Sequence, residues 1–351
     1  MIKLITPKND EIICLQTDIQ KKFVELGLAR NVHDKGNGEP WLPQQKYDVE
    51  YHGDDFSYPL PVQLEWNDDD NRCYFTLEVS KNENMSNADT RVVRGSSYKL
   101  FNLETGKKYY WRVICSGDVS EVGTFTTDAT LPRTLYIDGV TNVRDIGGYK
   151  ALGGRVKQGM VYRGGCLEDR TDRSRIITPE GFEEMKRLGI KTDIDIRYNV
   201  ELERQLTYEL TKSYSMARIA APVEHYAKIF TDEKVKESQA EFIRTFADEA
   251  NYPIYFHCWA GADRTGTIAF IIGALLGVDA DTLSNDYEFT SLSPQGPRNA
   301  KDEGWKEFLS ALNKFEGETI KEKAEHFVVD YLGVDNDVPQ KIRDILIEKD
   351  N

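Results

Sequence analysis

Cysteine is sparse and scattered in this chain. Its 351 residues hold five, at Cys14, Cys73, Cys115, Cys166 and Cys258, and no two form a Cys-x-x-Cys pair. That spacing argues against a zinc ribbon or a disulfide framework, and the odd number leaves at least one thiol free. Long apolar runs are missing too. The longest candidate, Thr267 to Val278, matches one soluble helix and falls short of the ~18 residues of a membrane span. The opening Met1-Ile-Lys-Leu-Ile-Thr-Pro7 has neither the apolar core nor the small-residue cleavage site of a signal peptide. A soluble, cytoplasmic protein is expected, or a secreted one if the chain was trimmed. Basic residues are in deficit, with 45 Lys and Arg against 59 Asp and Glu for a net charge of −14. The resulting field repels nucleic acid and anionic lipid, so neither is expected as a partner, and any anionic substrate needs a local site.

What is present suffices for packed interiors: 40% of the residues are hydrophobic and 11% aromatic, which excludes a disordered or collagen-like chain. The length suggests two domains. Residues 1–130 favour strands. Val62, Leu64 and Trp66 alternate onto one face, and further strands are read at 73–79, 98–103, 109–114 and 123–127, separated by Asn-, Asp- and Gly-rich turns. Short strands at this spacing predict a β-sandwich. Thr17 to Leu28 reads as an amphipathic helix inserted within this domain.

Asp128-Ala-Thr-Leu-Pro-Arg133 reads as a linker, and from 134 to 351 the pattern changes. Thr178 caps a helix to Leu188 with Pro179 at its first position, Gly189 ends it, and Ile190 to Ile196 is a strand. Helix is predicted for 238–250, strand for 252–257, a strongly apolar helix for 265–276, and mostly helix for 302–349. Strands alternating with helices predict an α/β domain with a central, mainly parallel sheet flanked by helices. The glycine-rich 147–154 stretch is not a nucleotide loop, because no Gly-Lys-Ser/Thr ends it.

The stretch Leu103-Glu-Thr-Gly-Lys-Lys-Tyr109 resembles a corner of fibronectin type III domains, where Leu, Gly and Tyr recur at these offsets. The resemblance implies a Tyr109 hydroxyl tied to nearby backbone. Thr105 departs from it, since that family usually has Pro there.

One segment carries chemistry: Tyr252-Pro-Ile-Tyr-Phe-His257-Cys258-Trp259-Ala260-Gly261-Ala262-Asp263-Arg264-Thr265-Gly266. It puts a cysteine at the end of a strand, followed by a short loop and a helix start. Loop amides and the positive end of the helix dipole converge there, a setting that lowers a thiol pKa and cradles an anion. Arg264 adds a planar fork suited to phosphate. Cys-x5-Arg alone is expected by chance about 0.3 times in such a chain; with Ser/Thr and Gly following, this drops to about 0.002.

His-Cys-x5-Arg-Thr-Gly resembles the signature loop of the protein-tyrosine phosphatase superfamily. The whole of 257–266 is similar to the H-C-x-A-G-K-D-R-T-G loop of bacterial tyrosine/serine phosphatases. Asn142-Val-Arg-Asp-Ile-Gly-Gly-Tyr149, Val161-Tyr-Arg-Gly164 and Ile194-Asp-Ile-Arg197 with Glu201 resemble three further stretches of that subgroup, over about 134–348 in all. The resemblance implies a cysteine-dependent phosphatase without cofactor or metal, acting on phosphotyrosine and on phosphoserine or phosphothreonine in a protein, or on a small phosphomonoester. Cys258 would be the nucleophile, Arg264 and the amides of Trp259, Ala260, Gly261, Ala262 and Gly266 the phosphate cradle, and Thr265 the donor to the sulfur. Asp263 is the first choice for general acid, with Asp193 and Asp195 as rivals or as partners of Arg197. His257, Arg144, Asp145, Arg163, Asp195 and Arg197 are expected to brace the loop, though each could be an ordinary pair or filler. The subgroup's loop lysine is Ala262 here, which disfavours phosphoinositides.

Two smaller readings concern the surroundings. Cys166 could form a protective disulfide with Cys258 or be a plain buried thiol. His225 and Tyr226 could line the substrate mouth or lie in a solvated connection. Alternatives to the protein phosphatase are a phosphoinositide or inositol phosphate phosphatase, a catalytically weak phosphate binder, or a sulfur- or arsenate-handling thiol enzyme. Oligomeric state is not legible.

Overall fold

A computed structural model describes residues 1–29, 55–168, 176–198 and 216–350. Glu201 lies outside them. The chain divides into two compact units, Met1–Thr17 with Pro59–Arg133, and Asp18–Tyr58 with Thr134–Asn351.

The first unit is built of strands: β1 (Ile2–Thr6), β2 (Glu11–Ile13), β3 (Val62–Asp68), β4 (Tyr74–Ser80), β5 (Asp89–Arg94), β6 (Ser97–Leu100), β7 (Lys108–Cys115), β8 (Asp118–Val119) and β9 (Gly123–Thr127). One sheet runs β1-β3-β6 and the other β2-β9-β7-β4-β5, with β8 on β7. Alternation dictates which faces are buried: Val62, Leu64 and Trp66 from β3 and Tyr109, Trp111 and Val113 from β7 enter one apolar cluster. The Trp66 and Phe75 rings meet edge to face, their centroids 5.4 Å apart. At the turn before β7, the Tyr109 hydroxyl accepts the Glu104 amide at 2.8 Å.

The second unit is mixed α/β. Its helices are α1 (Asp18–Leu26), α2 (Pro179–Arg187), α3 (Lys236–Thr245), α4 (Asp263–Leu275), α5 (Ala280–Phe289), α6 (Glu303–Leu312), α7 (Ile320–His326) and α8 (Val338–Leu346). Helix α1 forms where the sequence predicts one, but it packs in this unit, not with the strands around it in sequence. The reason is its apolar face: Phe23 is buried edge to face against Phe289, 5.5 Å between centroids. Helix α2 starts as its sequence dictates, with the Thr178 hydroxyl accepting the Gly181 amide. Helix α4 is buried on every side from Thr265 to Leu275, as an all-apolar helix must be.

Strands β10 (Arg144–Asp145), β11 (Lys150–Ala151), β12 (Gly154–Val156), β13 (Val161–Gly164), β14 (Thr192–Asp195), β15 (Ala217–Ala220), β16 (Ile254–His257) and β17 (Ile347–Lys349) complete the unit. A small sheet runs β11-β12-β17, and the central one runs β10-β13-β16-β14-β15. Strand β16 pairs in parallel with β13 on one side and β14 on the other, while β14 and β15 are parallel and β10 is antiparallel to β13. The registers align Gly164 and Asp195 with His257. The residue after His257 therefore leaves the sheet at the carboxyl ends of flanking strands, where crevices open in such sheets. Among the described residues, no helix is long and apolar enough to cross a membrane.

Candidate active site

Cys258 leaves the end of β16, and the loop 258–262 runs straight into α4. Peptide dipoles decide what such a loop can bind, and here the carbonyl ends are taken up from outside. His257 Nδ1 lies 2.9 Å from the Cys258 carbonyl oxygen. The Cys166 amide donates to the Trp259 carbonyl at 3.0 Å. Asn142 Nδ2 donates to the Ala260 and Gly261 carbonyls, both at 3.1 Å, and Arg163 Nη2 reaches Gly261 at 2.9 Å. The Ala262 carbonyl accepts the Gly266 amide at 2.7 Å, inside α4. With the oxygens bound outward, the N–H groups of Ala260, Gly261, Ala262 and Asp263 are left for the loop's concave side. The helix contributes its own unpaired first-turn amides, because Ala262 at the cap position has no side chain to occupy them.

Gly261 is demanded by this path. Its φ is +66°, and an added Cβ would sit 2.4 Å from the Gly164 carbonyl group, which no side-chain movement relieves. Gly266 packs with the same tightness on the Tyr287 ring, where a Cβ would come within 2.8 Å.

Behind the loop lies a buried ionic cluster. Asp286, on α5, accepts Arg144 Nε at 2.8 Å and Arg163 Nη1 at 2.6 Å. Both arginines are 1% exposed. Burial pushes the Asp286 carboxyl up, but the two guanidiniums outweigh it and hold the group below its usual range. Burial together with Arg144 pushes Arg163 down to about 10, so it stays charged at neutral pH. Arg144 Nη1 donates to Asn142 Oδ1 at 2.6 Å, which turns the Asn142 amide nitrogen toward the loop.

His257 is fully buried, with Nδ1 on the Cys258 carbonyl and Nε2 3.1 Å from Asp193 Oδ1. The Nε2 approach to Asp193 is a close polar contact without a formed hydrogen bond, and both atoms are buried without a hydrogen-bond partner. Asp195 pairs with Arg197 through both oxygens, at 2.9 and 2.7 Å. Burial raises the Asp195 carboxyl, and the charge of His257 with the Arg197 fork more than reverses this. Asp193 and Asp195 are thus sunk in the sheet beneath the loop, away from solvent. Asp145 sits elsewhere than expected: it accepts the Gly147 and Gly159 amides at 2.7 and 2.6 Å and fixes the turn from β10 toward β13.

On the solvent side, Cys258 is 5% exposed, and the half-buried Arg264 lies over the Tyr198 ring, 5.1 Å from its centroid. Tyr198 donates to Glu224, whose other oxygen lies 3.1 Å from His225 Nδ1. The Thr265 hydroxyl accepts the Cys258 amide at 2.9 Å, where a bond to the sulfur was expected. Asp263 is gripped by Arg298 through both oxygens, at 2.7 and 2.9 Å, and by the Tyr226 hydroxyl. Cys166 and Cys258 are both buried, and no disulfide joins them. Asp286 and Arg298 stand in no motif of the sequence, and nothing local gives Asn142 its role. The Asp279 cap that starts α5, accepting the Thr282 amide, was the one local signal pointing toward Asp286.

The model of the tyrosine phosphatase family matches residues 135–348, the whole span that builds this loop and its supports. The chain belongs to that family. A curated protein of Cupriavidus necator named "Putative tyrosine-protein phosphatase" is 28% identical over 176 residues, 44% of this chain and 61% of that protein. The chain thus spans about three fifths of that relative's length. Among solved structures, the core catalytic domain of the PP-IP phosphatase Siw14 from S. cerevisiae is similar at 18% identity. It covers 39% of this chain and 74% of its own, with a TM-score of 0.30. A structure from Shewanella putrefaciens titled "Putative phosphatase" is similar at 14% identity, covering 52% and 89%, with a TM-score of 0.25. Likenesses at these scores carry no argument about substrate for this member of the tyrosine phosphatase family.

Proposed function

We propose that the protein hydrolyses phosphomonoesters through a phosphocysteine at Cys258, with phosphotyrosine or another aryl phosphate as the substrate class. One observation carries the reading: the carbonyls from Cys258 to Ala262 are all bound away from the loop centre. Amides so oriented cost no reorganisation when charge builds on the equatorial oxygens of a transferring phosphoryl group. The Cys258 thiolate attacks phosphorus, the S–P bond forms as the P–O ester bond breaks, and the alcohol leaves with a proton from the general acid. Water then attacks the phosphocysteine, releasing phosphate and regenerating the thiolate. Arg264 completes the cradle with its fork. The Thr265 hydroxyl, already an acceptor from the Cys258 amide, has its proton left to stabilise the departing sulfur.

Asp263 serves as the general acid in this reading. Its side chain is 32% exposed at the rim of the loop, whereas those of Asp193 and Asp195 are 0% and 1% exposed. A proton donor must reach the leaving oxygen directly or through one water, and access favours Asp263. The loop carries Ala262 and no lysine, and Arg298 beside it is engaged by Asp263. Substrates with one phosphate therefore suit the rim better than polyphosphorylated inositols. We read the first unit as a fibronectin type III-like domain, on its two strand layers and the Tyr109 hydroxyl at the turn before β7.

Turnover of an aryl phosphate tests the proposal. Release of phosphate should persist in EDTA, be suppressed by vanadate, and fall to background in Cys258→Ser. Undiminished hydrolysis by that variant refutes it.

A further inference from the structure

The Asp263 carboxylate has no free oxygen. Arg298 Nε donates to Oδ1 at 2.7 Å and Nη2 to Oδ2 at 2.9 Å, while the Tyr226 hydroxyl donates to Oδ1 from the other side. Arg298 is itself immobilised. Its Nη1 donates to the Gln295 and Pro297 carbonyls, both at 3.0 Å, and its amide and carbonyl both bond the Ser291 hydroxyl at 2.8 Å. Tyr226 is equally fixed. It sits at φ +51°, donates its amide to Thr267 Oγ1 at 3.0 Å, and its hydroxyl lies 2.7 Å from that of Tyr287. A left-handed tyrosine is a strained residue that surrounding contacts must hold.

We infer that Arg298 is a positioning residue that keeps Asp263 unprotonated at the loop rim and so confines proton delivery to the leaving group to acidic pH. The inference deepens the phosphatase reading above and rests on it. A carboxyl group donates a proton only if it carries one, and here both oxygens accept donors, two on Oδ1 and one on Oδ2, an arrangement that favours the ionised form. The groups facing Asp263 are Arg298 from the turn after α5, Tyr226 and His225 from the segment before α3, Tyr287 from α5, and Arg264 beside it on α4. Burial acts to raise the Asp263 carboxyl, but Arg298, then Tyr226 and His225, bring it below its ordinary value. Arg298 is the one permanent charge bonded to it, so it dominates across the working pH range.

Leaving groups separate this proton transfer from the rest of the reaction, since a good leaving group departs without a proton. In Arg298→Met, the basic limb of the kcat–pH profile with phenyl phosphate should move up by about one unit, the low end of what a close opposite charge produces at a partly exposed carboxylate. The profile with an activated aryl phosphate should keep its shape. Arg298→Lys, which keeps the charge but loses the fork, should show a smaller shift in the same direction and serves if the methionine variant does not fold. Asp263→Asn should abolish the limb, alone and in combination with Arg298→Met. A uniform fall in kcat with an unmoved limb overturns the inference while leaving the phosphatase reading intact. A limb that survives in Asp263→Asn assigns the acid elsewhere and overturns it as well. Hydrolysis by Cys258→Ser is the separate result that removes the parent reading.

Discussion

Replacing Asp286 by asparagine removes one negative charge from between two guanidiniums and changes the volume hardly at all. The carboxylate accepts Arg144 Nε at 2.8 Å and Arg163 Nη1 at 2.6 Å, and both arginines are buried. In the variant, two positive charges face each other with no counter-ion, and the new amide points donors at donors. Breaking a buried pair by removing one partner costs about 3–5 kcal/mol. With a denaturant slope of about 2 kcal/mol per molar urea, the second unit should unfold about 2 M earlier. The pH dependence has a definite sign. The Asp286 carboxyl is held below its ordinary value in the folded protein, so its contribution is complete above the unfolded value of about 4 and disappears as pH falls through the folded one. The difference between wild type and Asp286→Asn should therefore be level from pH 5 to 8 and shrink below about pH 4. Urea unfolding followed by circular dichroism at several pH values measures both. A loss below about 1 kcal/mol at pH 7, or a difference that grows toward acid, refutes the account of this cluster.

Two further substitutions probe the frame. Gly261→Ala combines a left-handed backbone with a Cβ 2.4 Å from the Gly164 carbonyl group, so a loss of about 2–4 kcal/mol is expected. Aryl phosphate turnover should fall further than the fraction unfolded explains, and unchanged kcat would show that the loop path is adjustable. Tyr109→Phe leaves the Glu104 amide without its acceptor at 2.8 Å. It should cost about 1–2 kcal/mol in thermal unfolding of the first unit without altering kcat.

The loop was legible because its chemistry is consecutive. Strand end, cysteine, glycine, arginine and an apolar helix follow one another within about twenty residues, and each feature has a local cause. The sequence-predicted helices at 178–188 and 265–276 lie within a residue or two of Pro179–Arg187 and Asp263–Leu275, because cap chemistry and apolar continuity are local as well. What holds the loop was less legible. Asp286 meets Arg163 across 123 positions, and Arg298 meets Asp263 across 35. No periodicity or spacing rule joins charges at such separations. Asp145 shows the converse: its neighbour Arg144 does support the loop through Asn142, but strand alternation sends the Asp145 side chain to the Gly147 and Gly159 amides instead. The helix at 18–26 was read as a helix and given to the wrong unit, since amphipathicity reveals an apolar face but not the surface that receives it.

The segments that surround the cysteine come from five separate stretches of chain, 142–166, 193–198, 224–226, 254–266 and 286–298. No single stretch can cradle an oxyanion alone, because each supplies either the amides or the groups that orient them. On the proposed function, competence to bind phosphate would consequently be a late property, acquired when the strands on either side of β16 have closed and the helix bearing Asp286 has docked behind them. A chain that has only partly collapsed exposes a thiol without a pocket. A bound oxyanion, by mass action, draws the population toward the finished molecule.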